Sequence, residues 1–296
     1  MSIRSIANLS CASLALLLIT PAELQADDSP PSSSVAAEAE RARFTADPIT
    51  DGAIISASLG FGALAELVIT TGEIVPQQPQ PTSRLLAIDR LALHKHESAA
   101  GTTSTIGAIV AVAYAVIDPV ASGYRDGASS GLVDAVIYAE ALSITWAATN
   151  MAKLTVRRPR PRAYQVQERL YEIYGMEVAP SITETDTSLS FFSGHTALAA
   201  TVTSTASYLA FARSPHSVRP WLTLLAGTAL TTFVGIQRVR AGEHFPTDVI
   251  AGAMAGAGIG LLVAHMHRDE AVASRSFWIG LHRERDGGAL LFGGSL

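Results

Sequence analysis

Residues 249–266 read VIAGAMAGAGIGLLVAHM, an apolar run in which Gly252, Gly256 and Gly260 recur at four-residue spacing. This spacing places the three glycines on one face of a helix, where a neighbouring helix can approach closely. A run of this length is long enough for a membrane-spanning helix and also for a helix buried inside a large protein. The stretch therefore predicts a tightly packed helical protein and leaves open whether its helices cross a membrane.

Five earlier segments have the same character, with many Ala, Gly, Ser and Thr residues among the apolar ones. The six segments are 53–70, 105–120, 132–152, 194–212, 221–237 and 249–266. The sequence of this region shows no alternation of apolar and polar residues that is typical of strands. We therefore predict an all-α fold, a six-helix up-down bundle over residues 51–268, associated with a membrane.

Outside the bundle, three regions differ in composition. Residues 1–26 begin with a positive charge, continue with an apolar run and end in a small residue, which is typical of a signal peptide and its cleavage site. The alternative interpretation is an uncleaved membrane anchor. Residues 27–50 are rich in Pro, Ser, Ala and acidic residues and are interpreted as a flexible linker. Residues 269–296 are predicted to form a C-terminal tail with a small hairpin that turns at 286–288. An export signal predicts a bacterial-type cell envelope, either at the membrane or in the periplasm.

Composition excludes several functions. The chain has 296 residues, of which 16% are charged, and its net charge is -5. A soluble domain has about 25% charged residues, and an acidic chain offers no general attraction for nucleic acid. The single cysteine, Cys11, excludes a disulfide framework and a cysteine-based zinc cluster within one chain. Three acidic residues inside the apolar segments (Glu66, Asp134 and Glu140) argue against lipid exposure of those positions.

Three polar clusters fall at one end of the predicted bundle, beside the long loops 72–100 and 157–193 and the connection after the fifth segment. The first, KLTVRRPRPR at 153–162, is either a basic stretch near lipid headgroups or an anion site. The second is Ser193-Gly194-His195, where a helix N-terminus can bind an anion or the serine can be a simple cap. In the third, His244 and Asp248 are four residues apart, a spacing that suits either a catalytic or a structural pair.

Taken together, the clusters carry a more specific pattern. They read Lys153-x6-Arg160-Pro161, then Ser193-Gly194-His195, then Arg238-x5-His244-x3-Asp248. This pattern resembles the three-part signature of the type 2 phosphatidic acid phosphatase superfamily, which includes bacterial nonspecific acid phosphatases and vanadium haloperoxidases. Two positions depart from the family, because Phe192 stands where Pro is usual and Gln237 where Ser is usual.

The resemblance implies a phosphatase without metal or cofactor. His244 would be the nucleophile that forms a phosphohistidine, with Asp248 orienting it, and His195 would be the general acid and then the base for water. The implied phosphate-binding residues are Lys153, Arg160, Ser193, Gly194 and Arg238.

The substrate class stays open at this level. The leading expectation is a phosphorylated lipid, as a monoester or a pyrophosphate. The alternatives are a soluble periplasmic nonspecific acid phosphatase acting on small phosphate esters, a vanadate-dependent haloperoxidase, and a helical membrane protein without activity. No nucleic-acid partner is expected.

Overall fold

The structure is a computed structural model that describes residues 43–269, 278–284 and 287–293. Its described part contains seven α-helices, three short 3-10 helices and two strands. The α-helices are α1 (Pro48–Thr70), α2 (Ser98–Asp126), α3 (Ala128–Val156), α4 (Pro161–Tyr174), α5 (Gly194–Arg213), α6 (Arg219–Arg240) and α7 (Pro246–Met266). Six of them coincide with the apolar segments, which confirms the all-α fold; α4 is an addition within the second long loop.

Helix α1 begins three residues before the predicted start of the bundle at residue 51. The Asp47 carboxylate accepts hydrogen bonds from the Ile49 and Thr50 amides, at 2.8 and 3.0 Å, and Pro48 occupies the first helical position. Both features favour a helix start. Ahead of them, Phe44 packs edge-on against Tyr208 of α5, so the folded region includes the last residues of the predicted linker. The predicted signal peptide lies outside the described residues.

Helix α5 is the centre of the bundle and contacts α2, α3, α6 and α7. Its buried side chains are mostly Ala, Ser and Thr, and the Thr201 hydroxyl lies 2.8 Å from that of Thr145 on α3. A Cβ atom on Gly252 would lie 2.6 Å from the carbonyl oxygen of Ser193, and one on Gly256 would clash with that of Ala197. The glycine face of α7 is therefore the surface that packs against α5, as the spacing predicts.

The outward faces of the bundle are apolar. Large side chains point away from the core, with Leu64 64%, Leu225 69% and Met254 71% exposed. By length and composition, five of the described helical segments can cross a membrane: Pro48–Thr70, Ser98–Asp126, Ala128–Tyr174, Arg219–Arg240 and Pro246–Met266. Helix α5 is absent from this group because its many Ser and Thr residues lower its mean hydropathy, and much of its surface is buried against the other helices. Small polar residues inside and large apolar residues outside support membrane association.

Two of the three acidic residues within the apolar segments are buried, and the third, Glu66, is exposed. Asp134 is buried and accepts two hydrogen bonds from Arg213, both at 2.5 Å. Glu140 is buried beside His267. Glu66 accepts a hydrogen bond from Asn150 at 3.2 Å and lines the open cavity that also contains Lys153 and His195. The bundle therefore supplies each carboxylate with a polar neighbour, which lowers the cost of placing these residues in apolar segments.

The long loops meet at one end of the bundle, as the up-down arrangement predicts. Four hydrogen bonds join them to one another and to the α6–α7 connection: Gln78 to the Ile182 carbonyl, Thr185 to the Ile74 carbonyl, the Glu97 amide to the Arg240 carbonyl and the Arg162 amide to the Gly242 carbonyl. The connecting segments thus form one layer over the helix ends.

Strands β1 (Trp278–Glu284) and β2 (Gly287–Gly293) pair antiparallel, with Glu284 opposite Gly287. The predicted C-terminal hairpin is present, and its connecting residues 285 and 286 lie outside the described residues.

Candidate active site

His244 lies in the short connection between α6 and α7 and is 2% exposed. The connection turns at Gly242, whose φ of +71° and contact with the Lys95 carbonyl leave no room for a side chain. The His244 Nδ1 atom lies 2.6 Å from the carbonyl oxygen of Ser190. Because a carbonyl only accepts, Nδ1 carries the proton, and the lone pair of the neutral ring is at Nε2.

Positive charge surrounds this imidazole. Burial lowers the pKa of His244 well below its ordinary value, and the charges of Arg238, Arg160 and Lys153 lower it further. The ring is therefore neutral at physiological pH, with a free electron pair among three cations. That is the state required of a nitrogen nucleophile.

Asp248 is placed differently from the expectation that it binds His244. Its carboxylate accepts hydrogen bonds from the Ser190 hydroxyl at 2.5 Å and from the Phe245 amide at 2.9 Å, and it pairs with Arg158. The Ser190 carbonyl, in turn, holds His244. Asp248 therefore positions the imidazole through Ser190, a residue that lies outside the sequence motifs.

Arg158 and Asp89 form a support behind Asp248 that sequence reasoning missed. Arg158 donates to Asp89 at 2.7 Å, and its guanidinium lies over the Phe245 ring, 4.3 Å from the centroid. Asp89 also accepts hydrogen bonds from the Thr247 hydroxyl, the shorter at 2.8 Å. Arg158 thus holds the first turn of α7 and differs in role from its neighbour Arg160. The alternation of arginine and proline at 158–161 is the only sequence signal for it.

Arg160 is buried and points to the same site as His244. Its guanidinium donates to Asp186 at 2.6 Å and also pairs with Glu243. Arg162 bridges the same two carboxylates and donates to Glu243 at 2.9 Å. Two arginines and two acids therefore form a closed ring of ion pairs at the rim of the site. Neither acid was predicted from the sequence.

Among the residues that the structure describes, Arg238 has a buried donor without a partner. Its side chain is buried, and its nearest acidic neighbour is Glu243, with a 3.6 Å separation between Nη2 and Oε2. Nη1 donates to the Ser104 hydroxyl at 3.5 Å, a long hydrogen bond, and within the described residues Nε has no acceptor. A buried guanidinium with an unmet donor is costly in an isolated protein, because its lost hydration is not replaced. An oxyanion would supply the missing acceptor.

The Ser193-Gly194-His195 motif begins α5, as predicted. The Ser193 hydroxyl pairs with Thr196 Oγ1 at 2.9 Å and does not cap the helix amides. The first-turn amides are thus not capped by this side chain, and they can bind an anion. At Gly194, a Cβ would lie 3.0 Å from a methyl group of Thr149, so the glycine permits close packing of α5 on α3.

His195 is the second histidine of the site. Its Nε2 lies 3.3 Å from the Thr105 hydroxyl. Burial, together with the charges of Arg238, Lys153 and Arg160, lowers the pKa of His195 to about 4. The same three cations therefore act on both imidazoles, which shows that the structure brings together the Lys153, Arg160, His195, Arg238 and His244 predicted from the three motifs.

A cavity of about 560 Å³ adjoins this cluster. Lys153, Gly194 and His195 line one part of it, and apolar side chains of α2, α3 and α5, among them Ile109, Val112, Trp146 and Leu198, line most of the rest. A second cavity, of about 610 Å³, lies between α2, α5 and α6 and contains no motif residue. The first cavity is therefore the one that joins an apolar space to the cations.

The bundle gathers three cations and two histidines at one helix N-terminus, an arrangement that suits the binding of an oxyanion. Residues 134–271, which contain all three motifs, match the model of the PAP2 superfamily. The resemblance predicted from the motifs is thus confirmed for residues 134–271, the part of the chain that is similar to the PAP2 superfamily.

Among solved structures, the chain is similar to the crystal structure of "the first transmembrane PAP2 type phosphatidylglycerolphosphate phosphatase from Bacillus subtilis". The sequences are 21% identical, the TM-score is 0.43, and the match covers 72% of this chain and 93% of that chain. No curated protein matches the sequence.

The depressed pKa of His195 predicts that oxyanion binding is coupled to proton uptake. Between about pH 4 and the ordinary imidazole value of about 6.5, His195 is neutral in the free protein. A bound anion offsets the three cations and raises this pKa, so the ring gains a proton. Calorimetric titration with sulfate, repeated in buffers of different ionisation enthalpy, measures the number of protons that the protein takes up on binding. We expect this number to fall markedly in His195→Gln. Equal uptake by both proteins contradicts the assignment.

Proposed function

We propose that this protein is a phosphatase that hydrolyses phosphate monoesters or pyrophosphates through a phosphohistidine on His244. The observation that carries the proposal is the buried Arg238 guanidinium with an unmet donor, beside a neutral His244 whose Nε2 holds its lone pair. Such a pairing suits a phosphoryl group: the cation binds its oxygens while the nitrogen attacks the phosphorus.

The first step forms the covalent intermediate. The Nε2 lone pair of His244 attacks phosphorus, the bond to the leaving oxygen breaks, and its electrons pass to that oxygen. His195, once protonated in the presence of the bound phosphate, gives its proton to the leaving oxygen. Ser190 keeps the proton on His244 Nδ1, so the phosphorylated ring carries a positive charge, which the carbonyl dipole stabilises.

The second step releases phosphate. Water attacks phosphorus while His195, now neutral, takes its proton. The bond between phosphorus and Nε2 breaks, and the electrons return to the ring. Lys153, Arg160 and Arg238 balance the negative charge of the phosphoryl oxygens in both transition states, together with the α5 amides. These fixed charges take the part that metal ions take in many phosphoryl transfers.

We infer that the substrate is a phosphorylated lipid. The apolar cavity beside His195 is large enough for part of a hydrocarbon chain, and it lies in a bundle whose outer surface is apolar. A lipid could thus keep its chain in an apolar medium while its phosphate reaches the cations. The soluble alternative, a nonspecific acid phosphatase, would act on small polar esters that have no hydrocarbon chain to fill such a cavity.

Two tryptophan variants separate these substrate classes. Val112 lines the cavity beside His195, whereas Val110, two residues away on the same helix, lines the other one. Phosphate release would be measured with phosphatidate, phosphatidylglycerophosphate and a prenyl pyrophosphate in micelles, and with glycerol phosphate in solution. We expect Val112→Trp to lower the lipid-to-soluble ratio of kcat/KM by about tenfold, equivalent to about 1.4 kcal/mol, and Val110→Trp to preserve it. An unchanged ratio in both variants, with soluble esters preferred, favours the soluble alternative.

Removal of divalent metals tests the catalytic part of the proposal. Since three side chains supply the positive charge, we expect the initial rate in excess chelator to stay within about twofold of the untreated rate. The measurement is phosphate release immediately after chelator addition, followed by addition of magnesium. Complete loss of activity that magnesium restores would rule out metal-independent hydrolysis.

A further inference from the structure

Three titratable side chains meet inside the bundle, away from the phosphate site. Asp51 lies in the first turn of α1, Glu140 in α3, and His267 directly after α7. All three are more than nine-tenths buried. Glu140 precedes the site residue Lys153 by 13 positions on one helix, which corresponds to about 20 Å. The cluster is therefore separate from the phosphate site.

The three side chains are close together but not joined by hydrogen bonds. His267 Nε2 lies 3.4 Å from Asp51 Oδ2 and 3.5 Å from Glu140 Oε2. In the described part of the chain, His267 Nε2 and Glu140 Oε2 are buried without any hydrogen-bond partner. Buried polar atoms are nearly always paired, so two such atoms facing each other require a missing partner.

The tautomer of His267 identifies the kind of partner. Its Nδ1 lies 2.9 Å from the Val263 carbonyl and must be the donor of that hydrogen bond. In the neutral ring, Nε2 therefore presents a lone pair to the two carboxylates. In metal-bound histidines, the ring nitrogen that does not bind the metal commonly donates a hydrogen bond to a backbone carbonyl, as Nδ1 of His267 does here. Asp51 Oδ2 has a similar support from the Asp47 amide, at 2.7 Å.

The distances also fit a metal ion. Ligand atoms bound to zinc at about 2.0–2.2 Å in tetrahedral geometry are about 3.3–3.6 Å apart. The separations of His267 Nε2 from the two carboxylate oxygens fall in this range, and the three ligand atoms all lie within 4.8 Å of one another. Two buried carboxylates side by side repel each other when both are ionised, and one bound divalent cation would offset both negative charges.

We propose that Asp51, Glu140 and His267 bind one divalent transition-metal ion, with zinc as the best fit, and that this ion ties the start of α1 and the end of α7 to the middle of α3. One imidazole and two carboxylates suit zinc and its neighbours better than magnesium or calcium, which prefer oxygen ligands alone. The role is structural, because the cluster has no contact with the phosphate site.

Metal content and stability test this proposal independently of catalysis. The full-length protein, purified without a histidine tag, would be incubated with zinc, freed of excess metal and analysed by inductively coupled plasma mass spectrometry. We expect about one zinc per chain in the wild type and less than about one fifth of that in His267→Gln. The matched control is His265→Gln, two residues away, which should retain the wild-type content. Cobalt substitution should give the visible absorption of a tetrahedral site in the wild type and in His265→Gln, and not in His267→Gln.

Thermal unfolding provides the second readout. A ligand that binds only the folded state raises the melting temperature in a concentration-dependent way. Zinc should raise the Tm of the wild type and of His265→Gln and leave that of Asp51→Asn and His267→Gln unchanged. Should the wild type retain no zinc and show no shift, the cluster is a buried ion triad with a protonated His267. Equal zinc binding by His267→Gln likewise overturns the proposal.

Discussion

Replacement of His244 by alanine should lower phosphate release by about 10⁴-fold or more and abolish the covalent intermediate. The His244 side chain is the nucleophile in the proposed reaction, and removal of a nucleophile commonly lowers the rate by this factor or more. The measurement uses a ³²P-labelled substrate, rapid quenching in alkali and electrophoresis. Because a bond between phosphorus and imidazole nitrogen survives alkali and breaks in acid, the wild-type protein should retain a base-stable, acid-labile label. His244→Ala should carry none.

The matched control is His94→Gln. His94 lies at the same end of the bundle, but its side chain is exposed and its contact with Glu168 is 3.9 Å long. This variant should keep its activity and its label. The helix content of His244→Ala, measured by circular dichroism, should equal that of the wild type. Activity of a folded His244→Ala near the wild-type level, or a label that persists in it, would assign the nucleophile to another residue.

Replacement of His195 by alanine should produce a loss that depends on the leaving group. Without the general acid, hydrolysis of an alkyl phosphate should slow by about 10²–10⁴-fold. An aryl phosphate such as p-nitrophenyl phosphate has a leaving oxygen that needs no proton, so its first step should be much less affected. The second step still lacks the base, and the phosphoenzyme should therefore accumulate. A burst of nitrophenol followed by slow turnover is the expected signature.

A structural role for His195 predicts something else. If the ring only supported the start of α5, both substrates would slow equally and no burst would appear. Thr105→Val is the companion variant, because Thr105 contacts His195 Nε2 and has no charge to contribute. It should change the rate for alkyl phosphates more than for aryl phosphates, in the same sense as His195→Ala and to a smaller degree. Equal losses for the two substrates would remove His195 from proton transfer.

The architecture was predictable because its physical determinants are local. The six apolar segments and their polar connections predict six helices, and the four-residue glycine spacing predicts a packing face that α7 does present to α5. The up-down order then places the three motifs at one end, where electrostatic coupling links His195 and His244 to the same three cations. Helix α4 was missed because its amphipathic sequence lies within a loop that is otherwise marked by proline and charge.

The supporting contacts of the site were not predictable. Ser190 holds His244 through a backbone carbonyl, a group that every residue possesses and no sequence pattern reveals. Asp89 contacts Arg158 and Thr247 from a loop that is far away in the sequence. Nothing in the sequence around Asp89 distinguishes it from an acidic residue on the surface. Glu243 lies inside the third motif, yet its pairing with Arg160 and Arg162 depends on the approach of two loops. These contacts depend on tertiary structure, which spacing does not encode.

The interlocked loops have a consequence for how activity arises during synthesis. Asp89 and Thr247, which meet beside the site, are separated by 158 positions, and Gln78 and Ile182 by 104. Closing segments of this length costs conformational entropy that is recovered only when both ends are in place. A chain that ends before α7 contains His244 but lacks Thr247 and Asp248, whose contacts with Asp89, Arg158 and Ser190 align the site. Under the proposed function, we therefore expect specific activity to measure the fraction of molecules whose bundle is complete.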